Sequence, residues 1–289
     1  MTVRAKWALG LAAGCSVLLA LLWYAAFHVG WFERADRQVL GSFYSLIHPH
    51  YRHRVHSVAI FLVSLCNLYP YVFLAAVPVL VALLRRRVYD ACAVLALIAG
   101  AGATTLALKH LLPQDTLVSF MGISFSVPTP RFPSGHATAA MALVLALTIV
   151  VPGRLRAVTA GLGAVFAAAV GYSLMTTASH FPSDVFAGFL VAAIWALLAA
   201  AALVQIEHRI GASADRGPPV SIREALTPPG VALLAILALT VIAALTDPHS
   251  IVSYLRAHTA FTVGAIVIAA LSTAVSTGVV LSVRRDVLH

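Results

Sequence analysis

The sequence predicts an all-α fold: a polytopic membrane helix bundle with a six-helix core and two extra C-terminal transmembrane helices. Apolar residues make up 61% of the 289 and charged residues only 10%, whereas a soluble domain carries about 25% charge. Mean hydropathy is +0.95. Apolar runs of bilayer-spanning length recur along the chain, and one polar, proline-rich stretch separates six of them from the last two.

A hydrocarbon core about 30 Å thick needs about 20 apolar residues in helix, because a backbone group left unpaired in lipid is costly. Runs near 7–30, 58–84, 90–108, 136–152, 157–178, 184–205, 230–246 and 259–283 meet that need, each bounded by charge, Pro or Gly. The first run continues to Gly30, well past the roughly 7 to 15 residues of a cleaved signal's apolar region, and so reads as a signal-anchor helix. Ala12-Ala13-Gly14-Cys15 lacks the Leu of a lipoprotein box. Residues 31–57 are expected to form an interfacial segment. The core is assigned to 58–206 together with helix 7–30, and a cytoplasmic linker to 207–229, which contains Gly217-Pro218-Pro219 and Pro228-Pro229. An accessory transmembrane hairpin is assigned to 230–289. Cys15, Cys66 and Cys92 all lie in apolar runs and read as small core residues.

The formal charge of +9 concerns topology rather than nucleic acid, since 17 Arg and 2 Lys are scattered in short clusters between spans. Arg4, Lys6, Arg85 to Arg87, Arg154, Arg156, Arg209, Arg216, Arg223, Arg284 and Arg285 all fall on one side, 12 of the 19 basic residues. By the positive-inside rule that side is cytoplasmic. The expectation is a multi-pass plasma (inner) membrane protein with both termini in the cytoplasm.

Ionisable groups at or within spans call for a functional explanation, and here they converge on the opposite, extracytoplasmic face. Lys109 and His110 end the third span, Arg131 and His136 open the fourth, and His180 and Asp184 lie between the fifth and sixth. Pro133-Ser134-Gly135-His136 precedes an Ala-rich helix, where Ser can cap, Gly permits close approach, and free N–H groups with the helix dipole favour an anion. An ordinary capped helix with a satisfied His explains the tetrapeptide equally well. In Ser179-His180-Phe181-Pro182-Ser183-Asp184, Pro182 marks a helix start, and Asp184 follows His180 by four residues. A carboxylate on imidazole Nδ1 leaves Nε2 free to act as nucleophile or base. A structural pair is the plainer reading. Lys109 is either a snorkelling interfacial residue or a phosphate clamp. The His48-Pro49-His50-Tyr51-Arg52-His53-Arg54-Val55-His56 segment lacks Cys or carboxylate partners and has arginines that would repel a cation, so no metal site is expected there.

Taken in order, Lys109, Pro133-Ser134-Gly135-His136, and Ser173 with His180 and Asp184 resemble the three signature motifs of the type 2 phosphatidic acid phosphatase (PAP2) superfamily, over roughly residues 58–205. The resemblance implies a metal-independent and cofactor-free attack on a phosphate ester or anhydride. His180 would form a phosphohistidine with Asp184 orienting it, and His136 would protonate the leaving oxygen. Lys109, Ser134 and the Gly135 N–H would hold the phosphoryl oxygens. Two positions depart from the pattern: Thr116-Leu117 stand where the first motif has Arg-Pro, and Leu174 where the third has Arg. Arg131 is a candidate replacement clamp, or else a headgroup contact.

The leading expectation is therefore a lipid or polyprenyl phosphate phosphatase with an extracytoplasmic site, a membrane-borne substrate and no nucleic-acid partner. A headgroup or phosphoryl transferase using the same histidines is the alternative, and a non-catalytic lipid-binding relative a third reading.

Overall fold

The computed structural model describes residues 1–45, 52–113, 117–120, 123–126, 131–210, 226–234 and 258–283. In chain order these form α1 (Val3–His28), α2 (Gly30–Tyr44), α3 (Arg52–Ser64), α4 (Leu68–Leu84) and α5 (Val88–Leu111). A two-stranded hairpin follows, β1 (Leu117–Phe120) and β2 (Ile123–Ser126), and then α6 (Gly135–Val150), α7 (Gly153–Thr176), α8 (Pro182–Ile210) and α9 (Thr259–Val283). Residues 226–234 are also helical. The strands pair antiparallel, Leu117 opposite Ser126 and Phe120 opposite Ile123. They decorate the loop between α5 and α6 in an otherwise helical, multi-pass bundle.

Among the described residues five helices, α1, α5, α7, α8 and α9, are long and apolar enough to cross a membrane. The run at 58–84 is not the continuous span its hydropathy implies. It breaks between Ser64 and Leu68 and bends by 62°, with α3 packed on α7 and α4 on α5 and α6. Asn67 stands immediately before α4 in extended conformation, so an apolar run long enough for one helix is divided by a polar residue that works elsewhere. The α6 helix has only 16 residues, and the run at 230–246 lies outside the described residues beyond position 234.

Helix ends follow local chemistry. Thr2 caps α1, its hydroxyl accepting from the Ala5 N–H at 3.2 Å. Asp90 lies in the first turn of α5 and Lys109 and His110 in its last, charges that complement the helix dipole. Within the spans, hydroxyls donate back to carbonyls one turn earlier, as Thr148 does to Val144 and Ser173 to Ala169, both at 2.8 Å; an apolar helix can thus carry Ser and Thr without leaving polar atoms unpaired.

The core centres on α6 and α8, flanked by α5, α7 and α1. Ala5, Ala8 and Ala12 are buried on α1, and this small-residue stripe lets α1 lie along α8. On the outside of the bundle, large apolar side chains such as Leu21, Phe73, Leu80 and Leu106 are exposed, as expected of surface that meets lipid. Gly163 is pressed against Val144 of α6, where a Cβ would come within 2.3 Å of its side chain.

The C-terminal helix is built into the same core. Ile268, Val279 and Val283 join the main apolar cluster, and the Tyr172 hydroxyl on α7 donates to the Ala265 carbonyl at 2.6 Å. The interfacial segment begins with α2, which is amphipathic and buries Leu40, Ser42 and Phe43. Phe43 stacks on Tyr172 and meets Phe261 at a tilt of 48°, with ring centroids 5.5 and 4.5 Å away, so α2, α7 and α9 lock together.

Candidate active site

At one end of the bundle α7 turns into α8 through a closed corner. Ala178 adopts φ 53°, the left-handed conformation common where helices end. The Ser179 and His180 amides donate back to the Leu174 carbonyl at 2.9 and 3.4 Å. Pro182 then starts α8, a position where its missing N–H costs nothing. Within this turn the Asp184 Oδ2 accepts from the Phe181 N–H at 3.0 Å and lies 3.2 Å from His180 Nδ1. With Nδ1 as the donor, Nε2 keeps its lone pair. His180 and Asp184 are both buried.

A second carboxylate reaches the same turn from far away in the chain. Asp36, on α2, accepts from the Ser183 N–H at 3.0 Å through Oδ1 and from the Ser183 hydroxyl at 2.6 Å through Oδ2. Asp36 is partly buried, with its carboxylate turned in against α8. Burial pushes that carboxyl up to about 7; the Ser183 bonds and Arg131 oppose the shift, and Asp184 adds to it.

The head of α6 sits against that of α8. Ser134 is fully buried and caps α6, its hydroxyl accepting from the Ala137 N–H at 3.3 Å, while its own N–H donates to the Asp184 carbonyl at 2.9 Å. Gly188 makes this approach possible: a Cβ there would stand 2.8 Å from the Ser134 carbonyl oxygen and 2.9 Å from the Thr138 nitrogen, both backbone atoms that cannot rotate away. The Thr138 hydroxyl donates to the Ser134 carbonyl at 2.8 Å and lies 3.1 Å from the Thr105 hydroxyl, which ties in α5. Among the described residues, the Gly135 and His136 amides have no hydrogen-bond acceptor. His136 Nε2 lies 2.9 Å from the Asn67 Oδ1.

A cavity of about 260 Å³ opens beside the head of α6, between α4, α5 and α6. Lys109, Gly135, Thr138, Thr105 and Tyr71 line its polar end, and Ile98 and Leu106 are among the apolar residues that continue it along α5. Lys109 and His180 act electrostatically on His136, and Asp184 acts on Lys109. Arg131 places its guanidinium carbon 4.4 Å from the Phe181 ring centroid, a cation–π contact next to His180. Burial lowers its pKa, while Asp184 and Asp36 act in the opposite direction.

The structure thus brings His180, Asp184, Ser134, Gly135, His136, Lys109 and Arg131 to one end of the bundle. His110 is exposed at the end of α5. Ser173 spends its hydroxyl on its own helix, and Leu174 is 1% exposed in the core, so its position offers the site no polar group. Thr116 lies outside the described residues, and of Leu117 only the backbone in β1 is described. The His48, His50, His53 region likewise falls on undescribed positions or side chains. At the opposite end Arg85 donates to the Val150 carbonyl, Arg156 donates to Ile149 at 3.3 Å, and Arg87 pairs with Asp90 at 3.4 Å.

Sequence reasoning missed Asp36, Asn67 and Gly188. No motif spacing connects them to the histidines. The one usable signal was scarcity, since the chain has only 10 acidic residues and two of them, Glu33 and Asp36, stand in the interfacial segment.

Residues 90–207 match the family model described as the PAP2 superfamily, a stretch running from the first turn of α5 to the last turn of α8. No curated protein and no solved structure matches the chain. The match implies phosphatase-type activity on phosphate esters. The chain is a multi-pass, helical membrane protein whose residues 90–207 are similar to the PAP2 superfamily.

Proposed function

We propose that the protein is a lipid or polyprenyl phosphate phosphatase of the plasma (inner) membrane, with both termini cytoplasmic, an extracytoplasmic site and a phosphohistidine intermediate on His180. One observation carries this reading. The buried His180–Asp184 pair stands where the capped but otherwise open start of α6 adjoins a Lys109-lined cavity that turns apolar along α5. Such a cavity suits a phosphate headgroup at its polar end and a hydrocarbon chain along the rest.

In this reaction His180 Nε2 attacks phosphorus, a P–N bond forms and the P–O bond to the leaving group breaks, while His136 passes a proton to the departing oxygen. Water then attacks phosphorus, releasing inorganic phosphate and restoring the imidazole. Lys109, the Ser134 hydroxyl and the Gly135 and His136 amides stabilise the charge that develops on the phosphoryl oxygens. Arg131, held over Phe181, supplies guanidinium charge near a site whose third motif has Leu174 in place of Arg. None of these steps calls for a metal or cofactor.

The apolar Leu174 favours a second reading, transfer of the phosphoryl group to a lipid alcohol instead of water.

The test is rapid quenching with ³²P-labelled lipid and polyprenyl phosphates. Wild type should carry a base-stable, acid-labile label and release inorganic phosphate, and His180→Ala should carry none. Label that appears in an acceptor lipid instead of inorganic phosphate would establish transfer. Binding of the lipids without label or turnover would favour a non-catalytic relative.

A further inference from the structure

We infer that Asp36, on α2, is a positioning residue for the nucleophile: it closes the first turn of α8 from outside and so holds Asp184 and His180 in register with the start of α6. The role rests on the reading of His180 as the attacking group, and extends the site to a residue outside the family-matched segment 90–207.

The geometry begins with the donors at the head of α8. Pro182 has no N–H, and Phe181, one residue outside the helix, gives its N–H to Asp184. The next donor, the Ser183 N–H, is an orphan of the helix start. A capping residue just before the helix would ordinarily take it, but that place is occupied by Phe181, which has no side-chain acceptor. Asp36 takes it instead, from 147 positions away, and takes the Ser183 hydroxyl with its other oxygen. Two bonds fix both the height and the rotation of this turn, and the adjoining residue is Asp184. Because Asp184 already divides Oδ2 between the Phe181 N–H and His180, any rotation of the turn would be passed to the imidazole.

The support behind Asp36 is equally specific. Gly264 of α9 lies so close to α2 that a Cβ would stand 2.4 Å from the Val39 side chain, and Phe43 is clamped by Tyr172 and Phe261. The C-terminal helix therefore braces α2 one turn from Asp36. Charges facing Asp36 are those of Asp184 on α8 and Arg131 on the loop before α6; on its own helix, Glu33 and Arg37 pair with each other.

The test compares Asp36→Ala, Asp36→Asn, Ser183→Ala and Asp36→Ala/Ser183→Ala with wild type in detergent, normalised to folded protein by gel filtration and thermal melting. Asp36→Ala should lower kcat about 10- to 100-fold, as loss of a supporting hydrogen-bond partner does, with KM changed less than about threefold. Asp36→Asn keeps an acceptor for the Ser183 N–H and should recover to within about fivefold of wild type. Ser183→Ala should cost less than Asp36→Ala, and the double variant should match Asp36→Ala alone, because both act through one contact. Unchanged kcat in Asp36→Ala, or fully additive effects, would overturn the inference while leaving the phosphatase reading intact. If wild type turns over no lipid phosphate, that reading fails by itself. Asp36 is then judged by diethyl pyrocarbonate labelling of His180 relative to exposed His208: Asp36→Ala should speed labelling about fivefold or more and Asp36→Asn less than twofold, by analogy with the activity series, and equal rates in all three proteins would overturn it.

Discussion

Helices α6 and α8 begin side by side in one polar site, yet their first turns are closed in opposite ways. The head of α8 is filled by the protein's own carboxylates: Asp184 takes the Phe181 N–H, and Asp36 takes both donors of Ser183. The head of α6 is capped by one hydroxyl, Ser134, and the Gly135 and His136 amides keep no acceptor among the described residues. A helix start already supplied with negative charge repels an anion and holds still; one that is not supplied attracts it. The difference assigns the two heads different work in the proposed reaction, α8 presenting the nucleophile and α6 receiving the phosphate.

The strongest way to break this contrast is to remove the charge from the occupied head. Asp184→Asn should lower kcat by about 10²- to 10⁴-fold, as when an orienting carboxylate behind a catalytic imidazole is neutralised, with labelled phosphoenzyme falling in parallel. Steady-state and quench kinetics measure both. A loss no greater than about fivefold would mean that the pair is structural.

Next in size is Gly188→Ala, which wedges a methyl group between the two heads. It should cost about 1 to 3 kcal/mol of stability, as overpacking of a close contact does, seen as a lowered Tm in detergent. Turnover should also fall in the fraction that remains folded. Equal Tm values would show that the heads can separate freely.

The smallest change is expected from Ser134→Ala at the open head. Loss of a capping hydroxyl costs about 1 kcal/mol, so Tm should drop slightly. If the hydroxyl also meets the phosphoryl oxygens as charge develops on them, kcat should fall more than KM rises. An unchanged kcat would assign Ser134 to capping alone and sharpen the contrast by leaving the amides as the anion's partners.

Much of the candidate site was legible in the chain because its parts are local. His180 and Asp184 are four residues apart across a helix start, and Ser134 caps its own helix three residues on; both are short-range geometries that any sequence of this pattern can adopt. The broken run at 58–84 was not legible, since hydropathy averages over a single Asn and cannot see that Asn67 is drawn to His136 on another helix. Nor was the bracing of α2 by α9, because an apolar span looks the same whether it packs inside a bundle or stands apart.

What the sequence by itself determined is the class of the molecule, a membrane helix bundle with Lys109, Arg131, His136, His180 and Asp184 placed toward one end. Apolar length and charge placement follow from the cost of leaving polar groups in hydrocarbon, which is paid residue by residue along the chain. Only the tertiary structure decided that Asp36 would close α8, that Gly188 would let two helix heads touch through backbone, and that Lys109 and Gly135 would share one cavity. Such contacts depend on the depth and rotation at which whole helices pack, and no periodicity in the chain encodes either.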